Sequence, residues 1–247
     1  MPAHPVPIAI LPLGAHEQHG PHLPFETDAL IAQHVAERLC DAAPASVLAE
    51  LLPIESVGYS IEHMDVTGTR TLAFDEAVNR WIGIAGQCAT RGVRRLMLLN
   101  AHGGNSPLLT IVATEARVRF NMLAVATSWT RFGFPAEIIA PEDKAFDIHA
   151  GDIETSVMLA IHPGLVRMDA IADFPSRQAE YARQFKHLRA YGPHAFGWKM
   201  SDLNAQGAAG KASRATAQKG EALLSHAVAG LTELLADMAD FNVDDLG

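Results

Sequence analysis

Four short, almost wholly apolar runs, at residues 8–13, 47–52, 96–99 and 123–127, alternate with longer stretches of helical periodicity. No other feature limits the fold as much. A strand apolar at every position must be covered on both faces, and strands separated by helices run parallel. The helical stretches are residues 29–42, with Asp28 near the start, then 74–90, 107–118, 152–161 and 215–238. The expected fold is therefore α/β, with a mostly parallel central sheet. Of the 247 residues, 49% are apolar, and neither a repeat nor a composition shift divides them. Residues 1–247 are expected to form a single domain. Residues 173–210, punctuated by Gly and Pro, are the least regular and read as an insertion or an oligomer contact.

Charge and composition exclude several classes. A formal net charge of −9 argues against nucleic acid, because phosphate binding needs concentrated Lys and Arg. The basic cluster Arg91–Gly–Val–Arg–Arg95 precedes an apolar run and reads as a turn entering a strand. No window approaches ~18 consecutive apolar residues, so no membrane partner is expected. The N-terminal MPAHPVPIAILPLG lacks a basic leader region and reads as a first buried strand. Cys40 and Cys88 lie in alanine-rich helical segments without metal spacing, so buried free thiols in a reducing, cytoplasmic setting are expected.

Three polar clusters stand at the ends of these elements. Gly14-Ala-His-Glu-Gln-His19-Gly-Pro-His22 follows the first strand, with Asp28 nine residues after His19. Asn100-Ala-His102-Gly103-Gly104-Asn105 follows the third strand, and His149-Ala-Gly-Asp-Ile-Glu154 enters a helix. Ligands of open α/β sheets bind beyond the carboxyl ends of the strands. Glu17 and His19, two apart, fall on one side of an extended segment and can ligate one ion or two neighbours. Asp28 adds a carboxylate able to bridge. Zinc, manganese or iron accepts such imidazole and carboxylate sets, and the absence of cysteine favours an open hydrolytic site. Each cluster has a plainer reading: a solvated loop, a capped tight turn, a first-turn helix acid favoured by the macrodipole. Their coincidence at element ends weighs against all three being incidental.

The motifs LPLGAHEQHGPHLPFETDALIA, NAHGGN and HAGDIETSVML resemble those of the creatininase (creatinine amidohydrolase) family, over most of the chain. The resemblance implies a three-layer αβα fold, assembly as a homo-oligomer (commonly a hexamer), and hydrolysis of an amide C–N bond through a dinuclear-metal hydroxide. It implies that Glu17, Asp28 and His102 hold one divalent ion, and His19 with bridging Asp28 the other. His149 matches a histidine that touches substrate and moves protons. GYSIEHMDVTGT matches a loop near the pocket, making Ser60 and His63 substrate-contact candidates. Gly103 and Gly104 would keep backbone close to the centre.

Two departures stand out. Creatininase carries a glutamate where Gly104 stands, completing the second ion's ligands; Glu154 is the replacement candidate, as a ligand or proton carrier, and a role steadying His19 is the alternative. Creatininase also encloses its flat substrate with two tryptophans. Trp129 matches one, but Lys144-Ala-Phe-Asp147 holds no second. The expected activity is therefore metal-dependent hydrolysis of a cyclic amide or formamide other than creatinine. Formylamide deformylation or precursor-peptide cleavage, both found in the family, are the alternatives, and a metal-binding scaffold is the non-enzymatic one. A phosphoesterase would need Arg or Lys in the motifs; the nearest are Arg70 and Arg131.

Overall fold

A computed structural model describes residues 4–246 of the chain. In order, its main elements are β1 (Val6–Leu13), α1 (Thr27–Asp41), β2 (Val47–Leu51), α2 (Phe74–Thr90), β3 (Arg95–Asn100), α3 (Ser106–Phe120) and β4 (Leu123–Ser128). There follow α4 (Pro141–Lys144), α5 (Asp152–Ile161), β5 (Asp173–Phe174), α6 (Gln178–Gln184), α7 (Met200–Leu203), β6 (Gly210–Lys211) and α8 (Ala217–Asp240). The four long strands pair in parallel in the order β2-β1-β3-β4, with Ile10 between Leu51 and Met97. The apolar runs thus become a parallel sheet, and each element departs from its expected bounds by no more than about a turn.

Side-chain alternation divides the core in two. Ile8, Ile10, Met97 and Leu99 pack against α1, α5 and α8 on one face. Ala9, Leu11, Leu13, Leu96 and Leu98 pack against α2 and α3 on the other. This is the three-layer αβα arrangement. Each fully buried Leu or Ile contributes about 1.5–3 kcal/mol from area removed from water. Pro12 lacks the N–H that a central strand donates. It lies beyond the point where β2 ends, and pairing resumes at Glu55, whose N–H donates to Pro12 O while its carbonyl accepts from Gly14 N.

The basic cluster is spent internally. Arg91 pairs with Glu50 and Arg94 with Asp244, while Arg95 donates to the Met238 and Phe241 carbonyls. Cys40 and Cys88 are free thiols, half-buried and buried. By length and composition α8 could cross a membrane, a possibility the strict apolar-run criterion overlooks. Here its apolar face, from Leu223 through Leu235, is buried within the core beside α1 and α5. Residues 173–210 are not an outlying insertion. Antiparallel pairing of β5 with β6 closes this segment, which holds a small cluster of Ala190, Met200, Leu203 and Ala209, and Ala209 bridges to His149.

His22 fastens the loop after β1 to α5. Its ring is fully buried, within 2.9 Å of Thr155 Oγ1 and stacked on Phe174. Burial, reinforced by nearby His19, lowers its pKa to about 4. The unfolded chain takes this proton near ~6.5, so between those values the unfolded state binds more protons. Stability from His22 is complete above ~6.5 and is lost as pH falls towards 4. Urea unfolding of chelator-treated protein across this range should show a shallower acid slope for His22→Gln than for wild type; parallel slopes would refute the assignment.

Candidate metal centre

The sheet brings the three clusters together at the carboxyl ends of β1 and β3. Gly14 ends β1 under the first turn of α1, where a Cβ would lie 2.5 Å from Ala29 Cα. That close approach sets Asp28 against the returning loop. Glu17, His19 and Asp28 are at most 2% exposed, and His19 Nε2 lies 3.2 Å from Asp28 Oδ1. After β3, Asn100 grips the turn, its Oδ1 accepting from His102 N at 3.1 Å. Asn105 ties that turn to β1 and to the next loop, donating to Gly14 O and accepting from Tyr59 N. The asparagines are indeed turn-formers; their product is a fixed His102, 4% exposed.

Three imidazoles repeat one arrangement. His19 Nδ1 lies 3.0 Å from Glu17 O, His102 Nε2 2.9 Å from Tyr59 O, and His149 Nε2 2.6 Å from Gln18 O. A carbonyl only accepts, so each of these nitrogens carries the hydrogen. The opposite nitrogen of each ring then faces carboxylate. His19 Nε2 meets Asp28 and, at 3.9 Å, Glu154 Oε2. His102 Nδ1 is 3.3 Å from Glu17 Oε1 and 3.2 Å from Asp28 Oδ2, and His149 Nδ1 is 3.7 Å from Glu17 Oε1. Both Glu17 oxygens and Asp28 Oδ2 are buried without any hydrogen-bond donor.

Such a cage needs positive charge inside it. Burial would raise the Glu17 carboxyl, yet the His102, His63 and His149 rings hold it well below its ordinary value. Burial would lower His19, but Asp28, with Glu154 and Glu17 behind it, raises it to about 10. His102 is raised well above its ordinary value, the carboxylates of Glu17 and Asp28 outweighing burial. Donor-less acids opposite inward ring nitrogens suit divalent ions, whose binding would displace the ring protons. His19, Asp28 and Glu154 form one group with ligand-forming atoms within 4.8 Å of one another; Glu17 forms a second with His19 and His149, and a third with Glu62 and His102.

The other expected residues divide. Ser60 and His63 are buried at the cage, Ser60 Oγ 3.3 Å from His102 Nε2 and His63 Nε2 3.3 Å from Glu17 Oε1. Gly103 has open space above its Cα. Gly104 does not: a Cβ there would lie 2.4 Å from Tyr59 O and 2.7 Å from Glu62 Oε1, so no side chain fits. Glu154 Oε2 accepts from Ala150 N at 2.6 Å across a left-handed Ala150 (φ 51°), and burial raises its carboxyl to about 7. Trp129 lies in the core, 3% exposed and edge-on to Phe134. The His149 N–H is given to Gln18 O, and burial with neighbouring His19 and His63 holds the ring well below its ordinary value. The carboxylate of Glu62 went unnoticed in sequence, although its place beside His63 was the available signal.

The family model described as creatinine amidohydrolase (creatininase) matches residues 3–235. Mycofactocin precursor peptide peptidase of Mycolicibacterium smegmatis is 32% identical over 230 residues, which is 92% of this chain and 84% of that protein. Creatinine amidohydrolase of Pseudomonas putida is 28% identical over 246 residues, 93% of this chain and 89% of that one. Among solved structures, the manganese form of creatininase matches with a TM-score of 0.77 at 24% identity, covering 97% of this chain and 93% of its own.

Proposed function

Because the chain belongs to the creatininase family, and is thereby a metal-dependent hydrolase of C–N bonds, we propose that it cleaves a small cyclic amide or formamide at a dinuclear centre. The observation that carries this reading is the set of three imidazoles turned, with their hydrogens outward, towards the buried carboxylates of Glu17 and Asp28, of which both Glu17 oxygens and Asp28 Oδ2 have no hydrogen-bond partner. Glu17, Asp28 and His102 would hold one ion; His19, Asp28 and Glu154 the other. Bound divalent ions, zinc, manganese or iron, supply Lewis acidity and acidify water to a nucleophile near neutral pH.

The protein's own groups do the rest. His149, neutral and with Nδ1 inward, takes a proton from the attacking water and passes it to the departing nitrogen. Ser60 and His63 contact the substrate, and the bare backbone at Gly103 leaves it room. Glu154, as a ligand from α5, takes the place of the side chain that Gly104 excludes. The same reading includes assembly as a homo-oligomer, hexameric by resemblance, which light scattering would check.

A second reading, cleavage of a short peptide, is favoured by the 32% likeness to a precursor-peptide peptidase. Both are tested by offering creatinine, cyclic ureides, formylamino-pyrimidines and short peptides to manganese- and zinc-loaded protein. Creatinine should be a poor substrate. Residues 144–147 hold no tryptophan, so one of the two aromatic walls is missing. Each missing stacked ring costs about 0.5–1.5 kcal/mol beyond lost area. Brisk creatinine hydrolysis would overturn this specificity, and turnover of peptides alone would select the second reading.

A further inference from the structure

We infer that Glu62 is a specificity-determining residue, whose carboxylate accepts a hydrogen bond from an N–H of the amide substrate beside the glycine turn of the metal cage. The inference rests on the amidohydrolase reading above. Glu62 belongs to the short turn Ile61–His63, and its neighbour His63 reaches inward to Glu17. Glu62 Oε1 lies 3.7 Å from His102 Nε2, and an oxygen of Glu62 lies within 4.8 Å of the ligand-forming atoms of Glu17 and His102. The carboxylate therefore borders the reaction centre.

It has little to bond there. The His102 N–H is given to Tyr59 O at 2.9 Å, and 3.7 Å is too long for a hydrogen bond. Among the described residues no other side chain donates to it, and its own backbone N–H is the one further partner. The side chain is only 16% exposed. A carboxylate only accepts, and a single backbone N–H leaves most of its acceptor positions open. The missing side chain at Gly104 makes room for it, since a Cβ there would stand 2.7 Å from Glu62 Oε1. Open space over adjacent Gly103 gives a substrate access to the same corner. The donor every primary or secondary amide brings, and a tertiary amide lacks, is an N–H. A site built around such a bond rejects the analogue that cannot make it.

The test compares formanilide with N-methylformanilide on manganese-loaded protein, reading binding from the paramagnetic broadening of ligand proton resonances. Wild type should favour the N–H compound, and Glu62→Met, which has no oxygen to accept it, should lose on the order of 10-fold of that preference with manganese content unchanged. Comparing preference between the two proteins cancels the intrinsic difference between the amides. An equal preference in the variant, or equal or undetectable binding of both amides to wild type, overturns the inference. So does a fall in manganese content in Glu62→Met, which would make Glu62 a ligand. Wild type that takes up no manganese would fail the underlying reading itself, and elemental analysis reports that separately.

Discussion

Asp28→Ala should strip the protein of bound metal and with it all measurable amide hydrolysis. Asp28 meets both halves of the cage, its Oδ1 3.2 Å from His19 Nε2 and its Oδ2 3.2 Å from His102 Nδ1. It stands in the first turn of α1, 2% exposed, where a helix N-terminus favours an anion. Without it, two neighbouring cations would lose a shared ligand and the negative charge between them. Elemental analysis should fall from about two ions per chain to none, while the fold, built on the sheet, persists. Glu154→Gln makes a graded comparison. It touches only the His19 side, so one ion should remain with Glu17, Asp28 and His102. An Asp28→Ala protein that still carries two ions would sink the bridging assignment.

The second large effect is on stability and involves no polar atom of the site. Gly220, in α8, lies so close to α5 that a Cβ would stand 2.0 Å from Ser156 O and 2.9 Å from Val157 Cα. Backbone atoms cannot swing aside as a flexible side chain can. Gly220→Ala must therefore push the two helices apart and loosen Leu223 and Leu224 from Val157 and Met158. Overpacking of this kind costs about 1–3 kcal/mol or more, against less than ~1 kcal/mol gained in helix propensity. For a chain of this size that lowers Tm by roughly 2–4 °C per kcal/mol. Gly83 in α2 has open space around it, so Gly83→Ala should instead stabilise, by about 0.5–1 kcal/mol. An unchanged unfolding midpoint for Gly220→Ala would show that the helices do not touch there. Because α5 carries Glu154, the same substitution should also weaken metal uptake.

How far the sequence could be read follows from the range of each interaction. Strands and helices rest on periodicity within a few residues, so the apolar runs located β1 to β4, and their unbroken apolar character anticipated a sheet covered on both faces. Glu17, His19 and His102 announced themselves because each stands just past the end of a strand, where parallel sheets open. Other features depend on contacts between distant segments. The direction of the His149 ring is decided by a carbonyl 131 residues away, at Gln18. The reason Gly104 can have no side chain lies in Tyr59 and Glu62, on a different loop. The sequence by itself determined the layers and most of the polar residues at the centre, because local pattern and strand ends suffice for those. Which nitrogen faces inward, which acid lacks a donor and which glycine is obligatory were decided only in the tertiary structure, because burial and hydrogen-bond partners exist only once the segments meet.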